Sequence, residues 1–509
     1  MKFWAFMSVF LSLSLIFAGC ATVSPDSQAT TGAIPGIDTN SIVTNNIVTN
    51  NCQLGMAGSP LRTAAHCGVY TVFENREKRA GRQIEIRLAI IKALSRTPKP
   101  DPVFFLAGGP GQAASEAYLG VMPAFEKIHR DRDIVLIDQR GTGSRSRLHC
   151  EPMDDANGEG VSEDDEDVTR WLRACAEAMD ADPTQYTTEI AMGDLDEIRA
   201  VLGYQQINLV GVSYGTRAAQ TYLRTYPEHV RTVTLDGVVP QSEILGADVA
   251  ADAQRAIDLI FQRCAENDNC AAQFPNLPED FAGLMASLQA QAVEVQLADP
   301  ISGEPTTTTL DYRTAAMTVR LYSYAPETAG LLPLLIHKAA NGEYAPLAAQ
   351  SMMVGKGLAQ SINSGMNLSV LCAEDVPFFG DVDLAQLSSN SYYGSIETDT
   401  MQRYCEIWPH NRVDAAFKAP VESDLPVLLL SGEVDPVTPP ANAEEVASHL
   451  SNSLQIVAPG QGHNVIIRGC IPRLFSDFID TGSIQGIDTG CVNNLKPMPF
   501  FISPLGPNP

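Results

Sequence analysis

The sequence predicts an α/β fold, in which a mostly parallel central sheet is flanked by helices and an inserted, mainly helical cap domain interrupts it. Short apolar runs alternate with helical patterns from about residue 68 to about residue 240, as expected of parallel strands that are buried on both faces. Residues 241–420 then carry mostly helical patterns. Strand signals return at Val427–Leu430 and Leu454–Val457, so we expect the last strands to complete the same sheet.

The individual elements follow from apolar spacing. The predicted strands of the first part are Val69–Phe73, Ile84–Ile91, Val103–Leu106, Ile134–Ile137, Ile207–Val210 and Thr232–Leu235. Asp194–Leu202 has apolar residues at helical spacing and ends at Gly203, a residue type that commonly terminates helices. The predicted organisation is a signal peptide at 1–19, a tether at 20–50, a core at 51–240, a cap at 241–420, and a second core part with a C-terminal tail at 421–509.

The amino terminus predicts export. A positive Met1-Lys2 precedes the almost wholly apolar Phe3–Phe17, as in a signal peptide. Phe17-Ala18-Gly19-Cys20 is similar to a bacterial lipobox, which predicts lipidation of Cys20; a cleaved signal with a chance cysteine is the alternative. The Thr-, Ser- and Asn-rich segment at 21–50 is typical of a flexible tether. We therefore expect a periplasm-facing lipoprotein in a bacterial cell envelope, held by the outer membrane rather than the inner, since Ala21 follows Cys20.

Charge and cysteine content restrict the binding partners, cofactors and cellular compartment that we expect. The chain carries 60 acidic and 34 basic residues, a net charge of -26, which argues against nucleic acid or an anionic membrane surface as a partner. Membrane contact is expected only through the lipid anchor. Ten of the eleven cysteines remain once Cys20 is set aside, and no spacing resembles a zinc site, so we expect no metal or cofactor. The ten fall into neighbours that predict local disulfides, as an oxidising compartment favours: Cys52–Cys67, Cys150–Cys175, Cys264–Cys270, Cys372–Cys405 and Cys470–Cys491.

The chemical signal is the pentapeptide Gly211-Val212-Ser213-Tyr214-Gly215. An apolar strand precedes it and a helical pattern follows, which is the arrangement of a nucleophile elbow. Glycine is needed on both sides because the tight turn brings strand and helix too close for a Cβ. Ser213 is therefore the predicted nucleophile, at the positive end of a helix. An ordinary turn is the alternative for such a short motif.

A serine nucleophile needs a base and an acid that orients it. In α/β-hydrolases these come in the chain order serine, acid, histidine. His463 lies in a glycine-rich loop directly after the last predicted strand, where this fold presents its base. Asp435 follows the strand Val427–Leu430, in a proline-rich turn that would hold the carboxylate rigidly. Asp435 is the predicted acid, and Glu433 is the alternative.

Two backbone amides are predicted to form the oxyanion hole. The first is the N–H of Tyr214, directly after the nucleophile. The second is expected from Gly108-Gly109-Pro110-Gly111, which follows the strand Val103–Leu106; Gly109 is the preferred donor. Glycines let the backbone approach the tetrahedral intermediate closely. A simple tight turn is the alternative.

Taken together, these motifs resemble the proline iminopeptidase and tripeptidyl aminopeptidase family of serine peptidases, which are α/β-hydrolases. The resemblance spans about residues 50–495. It rests on motifs that occur in order: Gly108–Gly111, Asp138–Ser144, Gly211–Gly215, Asp435–Pro439 and Gly462-His463. Ala107 stands where proline iminopeptidases carry histidine, which favours the exported, tripeptidyl-like branch.

The resemblance implies further roles. Asp138 and Arg140 would form an ion pair that braces the oxyanion loop from behind. The helical insertion would be a cap that admits peptide substrates by their amino end. Glu374 and Asp375 are candidates for binding the free α-amine, with ordinary cap carboxylates as the alternative. The function implied is an exported aminopeptidase, of tripeptidyl or prolyl type, acting on short peptides.

Two other functions remain open. A carboxylesterase or lipase-like hydrolase of small esters would use the same triad, because the cap alone decides what enters. A catalytically silent envelope binding protein could keep the fold, although the complete triad argues against it. Thr63-Ala64-Ala65-His66-Cys67 resembles the histidine motif of chymotrypsin-like proteases, but their Gly-Asp-Ser-Gly-Gly segment is absent from the sequence, so His66 is a chance match.

Overall fold

The structure is a computed structural model that describes residues 41–44, 47–55, 60–151 and 165–507. All of them belong to one compact unit, Asn40–Pro509. The predicted signal peptide, Cys20 and most of the predicted tether lie outside the described residues.

A single large sheet forms the centre of the described chain. Its strands in chain order are β1 (Ser41–Thr44), β2 (Ile47–Gly55), β3 (Arg62–Phe73), β4 (Gln83–Ile91), β5 (Val103–Leu106), β6 (Ile134–Ile137), β7 (Ile207–Val212), β8 (Val230–Asp236), β11 (Val427–Gly432) and β12 (Ser453–Ala458). A separate hairpin pairs β9 (Val293–Ala298) with β10 (Pro305–Leu310).

The sheet order is β1-β2-β3-β4-β6-β5-β7-β8-β11-β12. From β6 to β12 every pair is parallel, whereas β1 to β4 are antiparallel to one another and β4 is antiparallel to β6. The expectation of a mostly parallel sheet is confirmed. Because the carboxyl ends of β7, β8, β11 and β12 lie along one edge, the loops after these strands are brought together there.

The helices connect these strands or form the insertion. In and around the sheet they are α1 (Ala114–Val121), α2 (Asp165–Ala178), α3 (Thr188–Leu202), α4 (Tyr214–Thr225), α15 (Pro440–Ser448) and α16 (Ile471–Thr481). Between β8 and β11 they are α5 (Val249–Ala265), α6 (Asp268–Gln273), α7 (Leu277–Ala290), α8 (Tyr312–Tyr322), α9 (Pro326–Ala329), α10 (Leu332–Ala340), α11 (Ala345–Ser361), α12 (Ser364–Glu374), α13 (Leu384–Ser388) and α14 (Ile396–Cys405).

Both faces of the sheet are buried. In β5, Phe104 and Leu106 join one apolar cluster while Val103 and Phe105 join the other, as the alternation of strand side chains requires. The insertion has an apolar cluster of its own, built mainly from α5, α7, α8, α10 and α11. It therefore has the packing of a separate small core, and it begins directly after β8 and returns to the sheet at β11.

The structure pairs the ten cysteines as the spacing predicts. The disulfides are Cys52–Cys67, Cys150–Cys175, Cys264–Cys270, Cys372–Cys405 and Cys470–Cys491. Two of them, Cys264–Cys270 and Cys372–Cys405, lie in the insertion. Within the described ranges, no helix is both long enough and apolar enough to cross a membrane.

Two features differ from expectation. The sheet begins at Ser41, so the last described residues of the predicted tether, 41–44 and 47–50, are strands rather than flexible chain. Burial alternates along 47–50, with Ile47 and Thr49 buried and Val48 and Asn50 exposed, as expected of a strand with one face on the core. The insertion also contains the β9–β10 hairpin, in which β9 alternates apolar and polar residues and β10 is Thr-rich. Both strands are largely exposed and lack the apolar runs from which the other strands were predicted.

Candidate active site

Ser213 lies in the tight turn between β7 and α4. Its φ is 57° and its ψ is -127°, a conformation that is strained for a residue with a Cβ. Its N–H donates to the carbonyl of Asp236 at 2.9 Å, which ties the turn to the end of β8. Ser213 itself is partly exposed, whereas its neighbours Val212 and Tyr214 are buried. The turn therefore leaves Ser213 accessible in an otherwise buried segment.

The two glycines of the elbow are required by sterics. A Cβ on Gly211 would overlap the carbonyl of Gly215, and a Cβ on Gly215 would overlap the carbonyl of Leu106 in β5. Helix and strand are therefore in backbone contact at this point, as the sequence predicts for a nucleophile elbow. The first N–H groups of α4 have no acceptor within the helix, so the start of α4 places a partial positive charge beside Ser213.

His463 and Asp435 lie together after neighbouring parallel strands. The Nδ1 of His463 is 2.8 Å from an Oδ2 of Asp435, and both residues are buried. Asp435 also accepts hydrogen bonds from the N–H groups of Val437 and Thr438, each at 2.9 Å, and from the Thr438 hydroxyl at 2.8 Å. The alternative acid, Glu433, instead accepts from the N–H of Gly460 at 2.7 Å.

The pair shifts the pKa values of both partners. Burial alone would raise the pKa of Asp435, but the charge and hydrogen bond of His463 outweigh it and hold the pKa below its usual range. Burial alone would lower the pKa of His463, but the charge of Asp435 and its hydrogen bond raise it above the usual value. The arrangement thus stabilises an imidazolium next to a carboxylate, which is what a base must become when it accepts a serine proton.

Asp236, at the end of β8, is a site residue that no motif singled out. Its two carboxylate oxygens accept the N–H groups of Val465 and Ile466 at 2.8 and 3.0 Å, so it holds the loop directly after His463. Burial raises its pKa to about 6. Because its carbonyl also accepts from Ser213, one residue ties the nucleophile turn to the base loop. Its position at the carboxyl end of a predicted core strand is the feature of the sequence that could have identified it as a site residue.

The insertion reaches the candidate base through Tyr324, which follows α8. The carbonyl of Tyr324 accepts the N–H of His463 at 2.6 Å, and the two rings meet edge to face with centroids 5.2 Å apart. A Cβ on Gly462 would overlap the same carbonyl. The glycine before His463 thus allows the insertion to contact the base loop directly.

The glycine-rich loop lies against the nucleophile. A Cβ on Gly108 would lie 3.1 Å from the Cβ of Ser213. Two amides of the insertion bind the outer side of this loop: Asn363 Nδ2 donates to the carbonyl of Gly111 at 2.9 Å, and Asn367 Nδ2 donates to that of Pro110 at 3.0 Å. Gly109 has a φ of 111°, which favours glycine. The loop is thus fixed beside Ser213, where the Gly109 and Tyr214 amides were predicted to act.

The predicted ion pair between Asp138 and Arg140 is wrong. Asp138 accepts from the N–H and hydroxyl of Ser115, at 2.8 and 2.9 Å, and so holds the first turn of α1. Arg140 instead binds both oxygens of Asp194 in α3, at 2.7 and 2.9 Å. Asp138 and Arg140 thus have separate partners, which their closeness in sequence did not indicate.

Glu374 and Asp375 lie at the end of α12 and are fully buried. Glu374 accepts from the N–H and hydroxyl of Thr188, at 2.6 and 2.8 Å, and burial raises its pKa to about 7. Asp375 accepts from Arg217 at 2.9 Å and from Lys418 at 2.7 Å. A substrate amine would have to displace these partners, so amine binding by either residue stays a prediction without support from their placement.

Among the described residues, no group of His, Cys, Asp and Glu side chains is arranged to hold a metal ion. At this edge of the sheet, Asp435 and His463 instead form a buried hydrogen-bonded pair. Asp236 contacts both the Ser213 turn and the loop after His463. An imidazole paired in this way is suited to accept a proton from a hydroxyl.

The chain is similar in sequence to a known family and to several named hydrolases and peptidases. The chain matches the family described as the alpha/beta hydrolase fold over residues 101–469. It is 26% identical over 449 residues to the serine protease Hip1 of Mycobacterium tuberculosis (strain ATCC 25618 / H37Rv), covering 79% of this chain and 83% of that protein. It is 23% identical over 463 residues to the tripeptidyl aminopeptidase of Streptomyces coelicolor, covering 85% and 84%. A proline iminopeptidase of Neisseria meningitidis serogroup B is 31% identical over 144 residues, covering 28% and 34%.

Proposed function

The chain belongs to the α/β hydrolase family, and we propose that it is an exported serine peptidase that releases residues from the amino end of short peptides. Ser213 is the nucleophile, His463 the base and Asp435 the acid that orients it. The observation that carries this proposal is the 2.8 Å contact between His463 and Asp435 at the same sheet edge as the strained Ser213 turn.

The proposed reaction proceeds through an acyl-enzyme. His463 takes the hydroxyl proton of Ser213 as the oxygen attacks the peptide carbonyl, and the amides of Tyr214 and Gly109 stabilise the oxyanion. The imidazolium then gives its proton to the leaving amine, and water hydrolyses the ester. Throughout, the buried carboxylate of Asp435 holds one tautomer of His463 and stabilises its positive charge.

Preference for a free amine is supported by relatives and by charge. Relatives that match most of the chain include one named serine protease, one named tripeptidyl aminopeptidase and one named only putative hydrolase. Near the site, burial raises the pKa of Asp252 in α5 to about 7, and the charges of Asp248 and Asp435 add to the effect against the opposing charges of Arg255 and Arg320. An ammonium group bound beside Asp252 would relieve this repulsion.

Export is proposed on the basis of the signal-like amino terminus and the five disulfides. Disulfides persist in oxidising compartments and are rare in the cytosol. The lipid anchor at Cys20 and its place in the outer membrane are part of the same proposal, since the lipobox-like segment is their only support.

The test is hydrolysis of aminoacyl- and tripeptidyl-arylamides with free and acetylated amino ends, beside simple acyl esters. We expect cleavage of the unblocked amides only, and the released fragments give the number of residues removed per cut. Ser213→Ala should abolish turnover, whereas Ser302→Ala, in the exposed turn of the β9–β10 hairpin, should not change it. Rapid ester turnover without amide cleavage would favour the esterase instead.

A further inference from the structure

Arg320, on α8 of the insertion, is a partly buried cation that forms no salt bridge in the described part of the chain. The charges of Glu397 and Asp252 act on it without a direct ion pair. Its Nε is buried without a hydrogen-bond partner. Its guanidinium carbon lies 5.5 Å from the ring centroids of both Tyr324 and Tyr393, so aromatic faces flank it and leave its in-plane donors free. Buried arginines of the core have carboxylates, such as Arg140 with Asp194 and Arg217 with Asp375.

The surroundings of Arg320 do not satisfy its hydrogen-bonding capacity. Tyrosine rings attract a cation but accept no hydrogen bond in the plane of the guanidinium. The hydroxyl of Tyr392 is also buried without a partner, and its ring contacts the ring of Tyr393, on which Arg320 stacks. A partly buried arginine with an unpaired Nε, in the same aromatic cluster as an unpaired hydroxyl, offers donors that suit a carboxylate.

Arg320 also lies close to the candidate base. The ring of Tyr324 contacts both the ring of His463, with centroids 5.2 Å apart, and the guanidinium of Arg320, whose carbon lies 5.5 Å from the Tyr324 centroid. His463 must reach the leaving nitrogen in order to protonate it. Side chains that pack around this imidazole therefore border the part of the substrate that leaves.

We propose that Arg320 binds the free α-carboxylate of the leaving part of the substrate. The inference rests on the proposed peptidase function and specifies its substrate class: short peptides in which the carboxyl terminus lies just beyond the cleaved bond. A planar guanidinium binds a carboxylate through two parallel hydrogen bonds, and Tyr324 and Tyr393 hold it in place.

The test compares wild-type kcat/KM for unblocked oligoalanines, from the dipeptide to the pentapeptide, with that for the same peptides as C-terminal amides. We expect the free carboxylate to be preferred by about tenfold or more at one peptide length, since a charge-assisted hydrogen bond is lost in the amide. In Arg320→Gln this ratio should fall toward one. Arg263→Gln, which removes a cap arginine that stacks on Phe500, should keep the wild-type ratio.

Arg320→Lys provides a second variant if Arg320→Gln fails to fold. It keeps the charge but loses the fork, so the ratio should fall only in part. If the wild type cleaved peptides with free and with amidated carboxyl termini at equal rates, the proposed carboxylate site would be wrong, while the peptidase function would stand. An unchanged ratio in a folded Arg320→Gln would do the same. Absence of all peptide cleavage, with ester turnover present, would overturn both.

Discussion

His463 experiences opposing influences on its protonation. Burial disfavours the imidazolium, but Asp435 outweighs this effect and raises the pKa of His463. Because Thr438 donates its hydroxyl and its N–H to Asp435, the carboxylate stays charged and oriented. A base with a raised pKa accepts the serine proton readily. As pH falls, however, it becomes protonated, and therefore inactive as a base, at a higher pH than a free histidine would.

The pH dependence of kcat/KM follows from this pair. The base works only as neutral imidazole, so activity should fall as pH drops through the raised pKa of His463, with a midpoint above about 6.5. Asp435→Asn removes the main cause of the increase, so the midpoint should move down and the rate should fall about 10⁴-fold. Arylamide kinetics across pH would measure both effects. A midpoint that is the same in both proteins would contradict the role given to Asp435.

At the scale of elements, the core strands were predictable because each is short, apolar and buried on both faces. The nucleophile turn was predictable because its glycines are required by backbone contact with β5 and α4. The β9–β10 hairpin was not predicted, since β10 is built of polar threonines and the alternating β9 lacks the continuous apolar run of the core strands. Asp236 and the Arg140–Asp194 pair were also missed, because both depend on contacts between residues far apart in sequence.

The Arg140–Asp194 pair links the turn after β6 to α3. Both side chains are almost completely buried, and the remaining Arg140 donors reach the carbonyls of Glu74 and Gln185. Arg140→Met should therefore leave Asp194 with Arg76 as its remaining cation, at 2.7 Å, and the two carbonyls without their donor. We expect it to lower the free energy of unfolding by about 2–4 kcal/mol. Arg170→Met, which breaks an exposed pair with Asp167, should cost about 0–1 kcal/mol. Urea unfolding measures both; equal losses would contradict this difference.

At the scale of the molecule, the insertion and the sheet share the site. The sheet edge carries Ser213, Asp435 and His463, whereas the insertion holds the base loop through Tyr324 and the glycine-rich loop through Asn363 and Asn367. Disturbing the packing of the insertion should therefore affect catalysis as well as substrate entry.

The disulfides of the insertion allow a matched stability test. Cys372–Cys405 closes a loop of sequence separation 33, and Cys264–Cys270 one of 6; all four residues are buried. In the chain-entropy description the longer loop stabilises more. Replacing Cys372 and Cys405 by serine should therefore lower the free energy of unfolding by about 2–4 kcal/mol, and more than the same change at Cys264 and Cys270. Thermal and urea unfolding would measure this, and the reverse order would contradict it.

The central claim is that Ser213 is the nucleophile of a working triad. The most direct measurement is labelling with a fluorophosphonate, followed by peptide mapping and by arylamide hydrolysis of the same samples. We predict one label, on Ser213, with activity lost in proportion to labelling, and no label on a folded Ser213→Ala. Labelling of another serine, or hydrolysis by Ser213→Ala above about a thousandth of the wild-type rate, would contradict the claim.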